Sequence, residues 1–268
     1  MNISPKTQPL SAQLHRYWEL LYVLVERNLK RRYRGSILGV YWSLLNPLIL
    51  TVIYTAIFGT TFARYYQNSI VNYALAAFTG LVVINFFISS TNQALESLVK
   101  NGDLVNKISL PLAVFPLSTI GANIFQLCVG MLPLLAIITL IITKNIFNVL
   151  LLLLPLSALI LVCAGVGFFV SALYVFFRDL PYFYELVGFV VSLSSPIFYP
   201  AEIVPNQVKQ ILLLNPLLPI IESIRQISLL GQLPDPMAII QAWLAGMVIV
   251  TCGWLCFRRW QDRFIDLL

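Results

Sequence analysis

Charge is nearly missing from this chain. Asp, Glu, Lys and Arg make up 10% of its 268 residues, where a soluble domain carries about 25%. A water-exposed surface cannot be assembled from so little. Histidine occurs once, at His15 in the polar N-terminal segment, so a Ser-His-Asp set is excluded from the body of the chain. No glycine is followed by lysine, which rules out the Gly-x-x-x-x-Gly-Lys loop that cradles nucleotide phosphates. Cysteine is sparse: Cys128, Cys163, Cys252 and Cys256 lie in apolar runs without His, Asp or Glu at ligand spacing. They are expected to be buried free thiols. Cys252 and Cys256, four apart on one helix face, lack the further ligands of a metal site. The apolar runs also lack the carboxylate, lysine or histidine of a proton relay, Glu185 near an interface excepted.

What the chain has is hydrocarbon: 59% hydrophobic residues and a mean hydropathy of +0.85. The pattern predicts a polytopic, all-α membrane protein. Its organising stretch is Glu26 to Pro47, where Arg27, Lys30, Arg31, Arg32 and Arg34 give way to a run, Ile37 to Phe62, with no charge in 26 residues. An Arg or Lys at the centre of a bilayer costs about 2.5–3.5 kcal/mol, so the cluster stays on one side, and about 20 apolar residues suffice to cross. The net charge of +6 is thereby explained by membrane topology rather than by nucleic-acid binding.

Residues 1–10 are expected to form a mobile tail, and no cleavable signal peptide is expected. Leu14, Trp18, Leu21, Val25 and Leu29 recur at helical spacing, predicting an amphipathic helix in the interfacial plane. The first span, Ile37 to about Phe62, should kink at Asn46-Pro47. The second runs from Tyr73 to about Leu95, the third from about Pro116 to Ile142, and the fourth from Asn145 to Phe177 with a kink near Pro155. The fifth has only 16 uncharged residues between Glu185 and Glu202. Val208–Leu214 and Ile220–Leu230 are too short to cross and predict a hairpin dipping into the outer leaflet. The sixth span is Met237 to Phe257. Six crossings put 13 of the 17 Lys and Arg residues on the cytoplasmic side, with Arg64, Lys144, Lys209 and Arg225 outside, as positive flanks require. The expected organisation is residues 1–35 as tail and interface helix, 36–258 as the six-span domain, and 259–268 as a cytoplasmic tail. Within the membrane domain, 96–110 is a cytoplasmic loop and 199–235 an outer re-entrant hairpin.

Several motifs in this order resemble one family. They are Arg34-Gly35-Ser36-x-Leu38-Gly39-x-x-Trp42 followed by Pro47, Asn101 through Pro111, Phe177-Arg178-Asp179-Leu180, Ser195-Pro196-Ile197-Phe198-Tyr199-Pro200, and Asn215-Pro216 with Arg225, Gly231 and Pro234. Together they cover about residues 11–260. They are similar to type-2 ABC exporter permeases of the polysaccharide branch, which move O-antigen, capsule and teichoic acid. One departure is that Leu112-Ala113 follow Pro111, where members of the family often carry charge. The resemblance implies a homodimer bound to two copies of a separate ATPase subunit, which holds ATP and Mg, in the inner membrane with both termini cytoplasmic. It implies a lipid-linked glycan as cargo, surrounding membrane lipid as solvent, no cofactor on this chain and no catalytic residue. A type-2 permease for another lipid or drug, and an ion-coupled secondary transporter, are the alternatives. A sugar polymer points to twelve helices rather than six, because its hydroxyls are costly to strip of water.

Under this reading Leu98, Lys100, Asn101, Asp103, Leu104 and Lys107 form the loop that couples to the ATPase. Arg178 and Asp179 either touch the ATPase or stabilise a helix end. Trp18, Arg27, Arg31 and Arg34 seat the interface helix. Tyr41, Trp42, Tyr54 and Phe58 on the first span, with Phe86 and Phe87 on the second, are the candidates for lining a glycan channel by ring stacking. Tyr199, Pro200, Asn215, Pro216 and Arg225 belong to a hairpin expected to gate the outer side.

Overall fold

A computed structural model describes residues 10–107 and 110–267, and every regular element among them is helical. Residues 1–9, expected as a tail, lie outside the described residues, as do Ile108 and Ser109 of the loop 96–110. The basic helix α1 (Leu10–Tyr33) ends in a tight turn where Gly35 takes a φ of 77°. Ser36 Oγ there accepts from the Gly39 amide at 3.0 Å. A single 3-10 turn, Gly39–Tyr41, then leads into α2 (Trp42–Phe62). The chain returns through α3 (Ile70–Glu96), whose N-cap Ser69 accepts from the Asn72 amide, and reaches the short α4 (Gly102–Lys107). Next come α5 (Val114–Gln126), a π-helical turn at Leu127–Met131, α6 (Leu132–Thr143), α7 (Ile146–Leu151) and α8 (Leu153–Phe176). The remainder comprises α9 (Leu180–Ser194), α10 (Asn206–Leu212), α11 (Leu218–Arg225), a second π turn at Gln226–Leu230, α12 (Pro236–Trp260) and the terminal α13 (Phe264–Leu267).

Among the described residues five helical segments are long and apolar enough to cross a bilayer: Gly39–Tyr65, Ile70–Glu96, Val114–Thr143, Ile146–Phe176 and Pro236–Arg263. The expected fifth span is a helix of only 15 residues. It starts at Leu180 rather than beyond Glu185, because Pro181 opens its first turn and Glu185 stays exposed on its surface. Proline accounts for the breaks. Pro155 has no N–H for the Leu151 carbonyl, and α7 ends there; Pro133 has none for Val129, which sits in the first π turn.

The core lies around α3. Phe78, Val82 and Phe86 of α3 pack with Leu159, Val162 and Cys163 of α8 and with Ile220, Ile221 and Ile224 of α11. A second cluster, at the end where α1 packs, gathers Leu24 of α1, Leu98, Val114, Phe115, Val175, Phe257 and Phe264. Two expectations change here. The stripe of α1 that packs inward is Tyr17, Leu20, Leu21 and Leu24, so Trp18 turns outward. Of the four thiols only Cys163 is buried; Cys128 and Cys252 are exposed and Cys256 is half-buried. In a membrane chain an apolar run can face lipid as well as core, so apolar neighbours do not imply an interior position.

The tightest helix pair is α8 with α12. A Cβ built on Gly253 would come within 2.1 Å of the Gly165 carbonyl oxygen, and one on Gly165 within 2.5 Å of the Ile249 backbone. Small residues at such crossings let backbones touch, the usual source of helix association in lipid. Gly165→Ala or Gly253→Ala is therefore expected to lower stability by roughly 1–3 kcal/mol. Thermal unfolding in detergent should show a clear drop in midpoint for both, whereas Gly188→Ala, with nothing within 4 Å of the new methyl, should behave as wild type.

Candidate functional site

Two polar assemblies, one at each end of the helix cluster, hold the residues singled out in the sequence. At one end α1 lies against α5 and is fastened by side chains to α5 and to the turn after α3. Arg27 Nη2 donates to Asn101 Oδ1 at 2.6 Å, Asn28 Nδ2 to Ser118 Oγ at 3.0 Å, and Arg32 Nη1 to Asn123 Oδ1 at 3.1 Å. Asn123 Nδ2 in turn donates to Gln93 Oε1 at 3.0 Å and to the Thr119 carbonyl at 2.8 Å. Burial, and then the neighbouring Arg31, lower the pKa of the Arg27 guanidinium from its ordinary value. An Asn123-centred network thus joins the basic helix to the ends of two spans.

The loop expected to meet the ATPase divides by burial. Leu98 is fully buried and Leu104 packs against the cluster that holds Leu24 of α1. Asn101 is occupied by Arg27, and its own Nδ2 donates to the Ser97 carbonyl at 2.6 Å. Lys100 pairs with Glu96 one turn back on the exposed side. Asp103 points outward in the first turn of α4. The Lys107 side chain lies outside the described residues. Arg178 is exposed and its Nη2 donates to the Leu267 carbonyl at 2.9 Å. Asp179 holds the N-cap position of α9 without a side-chain capping bond. Arg34 is exposed in the turn after α1.

At the opposite end the break after α9 is tied down by donors. Arg225, at the end of α11, sends Nε and Nη2 to the Ala76 carbonyl at 3.1 and 3.0 Å. Its Nη2 also reaches the Pro196 and Ile197 carbonyls at 2.8 and 3.3 Å. Asn215 accepts from the Leu217 amide and donates to Ser195 Oγ at 2.9 Å. Tyr73 Oη donates to the Phe198 carbonyl, and Tyr199 Oη to the Leu193 carbonyl, both at 2.8 Å. Pro200 is buried. The hairpin expected as a gate therefore has two parts. The α11 half belongs to the core, while Pro205 and the residues Asn206 to Gln210 of α10 are exposed throughout. Beside them a cleft of about 410 Å³ is lined by Tyr66, Asn72, Glu202, Glu222 and Arg225 among others.

The aromatic candidates separate as well. Tyr54 stacks on Phe198 with ring centroids 3.5 Å apart, and Phe58 and Phe62 continue the ladder along α2 at about 6 Å intervals. Tyr41 and Trp42 are each 57% exposed. Phe86 and Phe87 are not on a surface of the chain at all: at 3% and 7% exposure they fill the core between α3 and its neighbours. The expectation that they line a channel is corrected accordingly, because α3 is packed round by neighbouring helices and both rings are taken up in its core cluster. Sequence reasoning also missed Gln93 and Asn123, because titratable groups alone do not mark such a network. Amides inside otherwise apolar runs were the signal.

Comparison with known proteins places this geometry. The chain matches the family described as ABC-2 type transporter over residues 19–229. It is 29% identical over 254 residues to the O-antigen export system permease protein RfbA of Klebsiella pneumoniae, covering 94% of this chain and 95% of the relative. A second protein of that name and organism is 29% identical over 252 residues, again covering 94% and 95%. The protein so named from Myxococcus xanthus is 25% identical over 260 residues, covering 96% of this chain and 98% of its own length.

Arg225 carries the outer assembly, so its loss should be felt there first. Arg225→Met leaves three carbonyls without their charged donor and is expected to cost about 3 kcal/mol or more. Arg225→Lys, a single-point donor, should recover only part of it. Thermal unfolding, together with limited proteolysis in the 199–235 region, would register both effects.

Proposed function

Because the chain belongs to the ABC-2 type transporter family, a family of membrane permeases, we propose that it is the transmembrane subunit of an ATP-driven exporter of lipid-linked polysaccharide of the O-antigen, capsular or teichoic-acid type. The observation that carries this reading is the similarity, from end to end, to three permeases of O-antigen export systems. The chain is a multi-pass membrane protein, in this reading of the inner membrane, with both termini cytoplasmic. Hydrolysis of ATP, with Mg, falls to two copies of a separate nucleotide-binding subunit, and this chain supplies the wall, the gate and the contact that receives the force.

In this reading α9 makes the sixth crossing. Fifteen helical residues reach about 22 Å at 1.5 Å each, short of a hydrocarbon core of about 30 Å, and the non-helical Ser195–Pro200 carries the chain the rest of the way. Irregular backbone at such depth is tolerated where protein covers it, which is what Arg225, Asn215 and Tyr73 do. The hairpin after it is re-entrant, with α10 as its moving outer part. The helix α1 lies in the cytoplasmic interface, its Trp18 and Tyr22 turned out from the protein toward headgroups.

Homodimerisation supplies the width that one chain lacks. α2 exposes Ile49, Val52, Ile53 and Ile57, and α9 exposes Phe183, Leu186, Phe189 and Val190. A second copy related by two-fold symmetry covers part of this surface and encloses the glycan, with Tyr41 and Trp42 offering open ring faces. At the cytoplasmic face Lys100 and Asp103 meet the ATPase, while Leu98 and Leu104 anchor the loop to the spans and Asn101 ties it to α1.

Purification in mild detergent should retain an ATPase subunit at a two-to-two ratio. In the reconstituted complex, Lys100→Glu with Asp103→Lys should leave ATP turnover near wild type and lower export by roughly tenfold, within the usual range of coupling energies. Vesicles carrying this chain alone that moved cargo under an ion gradient would overturn the reading.

A further inference from the structure

Between α1 and the cytoplasmic ends of α3 and α5 lies an inner cleft of about 280 Å³. Three cations and one carboxylate line it: Arg31, Arg32, Lys100 and Glu96. Lys100 is paired with Glu96, and Arg32 has one edge on Asn123. Arg31, exposed on α1, makes no ion pair or hydrogen bond among the described residues. Much of the remaining wall is neutral amide and hydroxyl, with Asn28 and Gln93 at its back. A concave site with surplus positive charge and amide donors is complementary to an oxyanion, and guanidinium groups match phosphate geometry.

Depth narrows the choice of anion. Arg31 and Arg32 are held out of hydrocarbon by their charge, while Trp18 and Tyr22 on the same helix are 64% and 71% exposed, as interfacial aromatic anchors are. The cleft is therefore bracketed between basic and aromatic residues at the level where lipid phosphates lie. We propose that this cleft binds the phosphate headgroup of an anionic phospholipid in the cytoplasmic leaflet. Bound there, the lipid fills the gap between α1 and the spans and adds a charge-assisted link beside the Asn123 network. Basic pockets between helices on the cytoplasmic side are the usual seats of such headgroups. The proposal rests on the interfacial placement of α1 given above, not on the identity of the exported cargo.

Native mass spectrometry of the purified protein with phosphatidylglycerol or phosphatidylcholine tests it. Phosphatidylglycerol should be retained in preference, and Arg31→Gln should weaken that retention by roughly fivefold, the worth of one basic side chain near an anionic surface. Phosphatidylcholine retention should not change. Arg258→Gln, an equally basic position at the other end of the chain, should have no effect. Equal retention of the two lipids, no effect of Arg31→Gln, or an equal loss from Arg258→Gln would each overturn the site. Arg32→Gln should weaken retention too, with its unfolding midpoint measured alongside because it also removes the bond to Asn123. Inorganic phosphate titrated into lipid-free protein separates the sources: binding as tight as that of the lipid would mean a soluble anion and overturn the lipid assignment. A spin label at Tyr22→Cys reports the placement of α1 separately. A label at headgroup depth with unchanged lipid retention in Arg31→Gln refutes the site alone, and a label in bulk water refutes the placement.

Discussion

A carbonyl freed from a helix inside a membrane must find a donor, and the rest of this fold is arranged around meeting that demand. Each unsatisfied backbone group in hydrocarbon costs several kcal/mol, so the chain can interrupt its helices only where something donates to the break. After α9 that donor is Arg225, whose guanidinium spans three carbonyls drawn from two separate segments. Asn215 and Tyr73 close the remaining gaps. An arginine suits the task because its fork reaches several acceptors at once, where a lysine reaches them as a point. This end of the helix cluster is thus irregular yet fixed, and α10, with its exposed face, is left free of this bracing.

The end where α1 packs solves a different problem with related chemistry. A basic helix has to be joined to apolar spans, and neutral amides do the joining. Asn123 accepts from Arg32 and donates to Gln93, while Asn101 joins Arg27 to the loop. These bonds run from α1 to the loop and to α5, and Asn123 passes the link on to α3. The short loop and the long helix are thus joined directly, although they are far apart in sequence.

Much of this was legible in the residues. Charge-free runs give helices able to cross, and prolines give the breaks: Pro155 and Pro133 each sit within one turn after the interruption they cause. Three things were not legible, each for a physical reason. An apolar residue in a membrane chain can face lipid or core, so composition could not tell Trp42, which is exposed, from Phe86, which is buried. A helix with apolar residues on more than one face does not announce which stripe packs, and α1 turned Leu24 inward rather than Trp18. Side-chain pairs such as Arg225 with the Ala76 carbonyl connect positions 149 residues apart, and only the folded path brings them together.

The contact of Gly165 with Gly253 has a consequence for how such a protein can work. At that crossing main chain meets main chain with no side chain between, so neither helix can roll there without collision, and Phe168 set edge-on against Trp254 and Phe257 fills the seam beyond it. The α8–α12 pair then resists rolling at this point. Any change of shape during a working cycle is pushed onto the helices hung about it, above all α2 and α9, whose outward faces carry little of the chain's own packing.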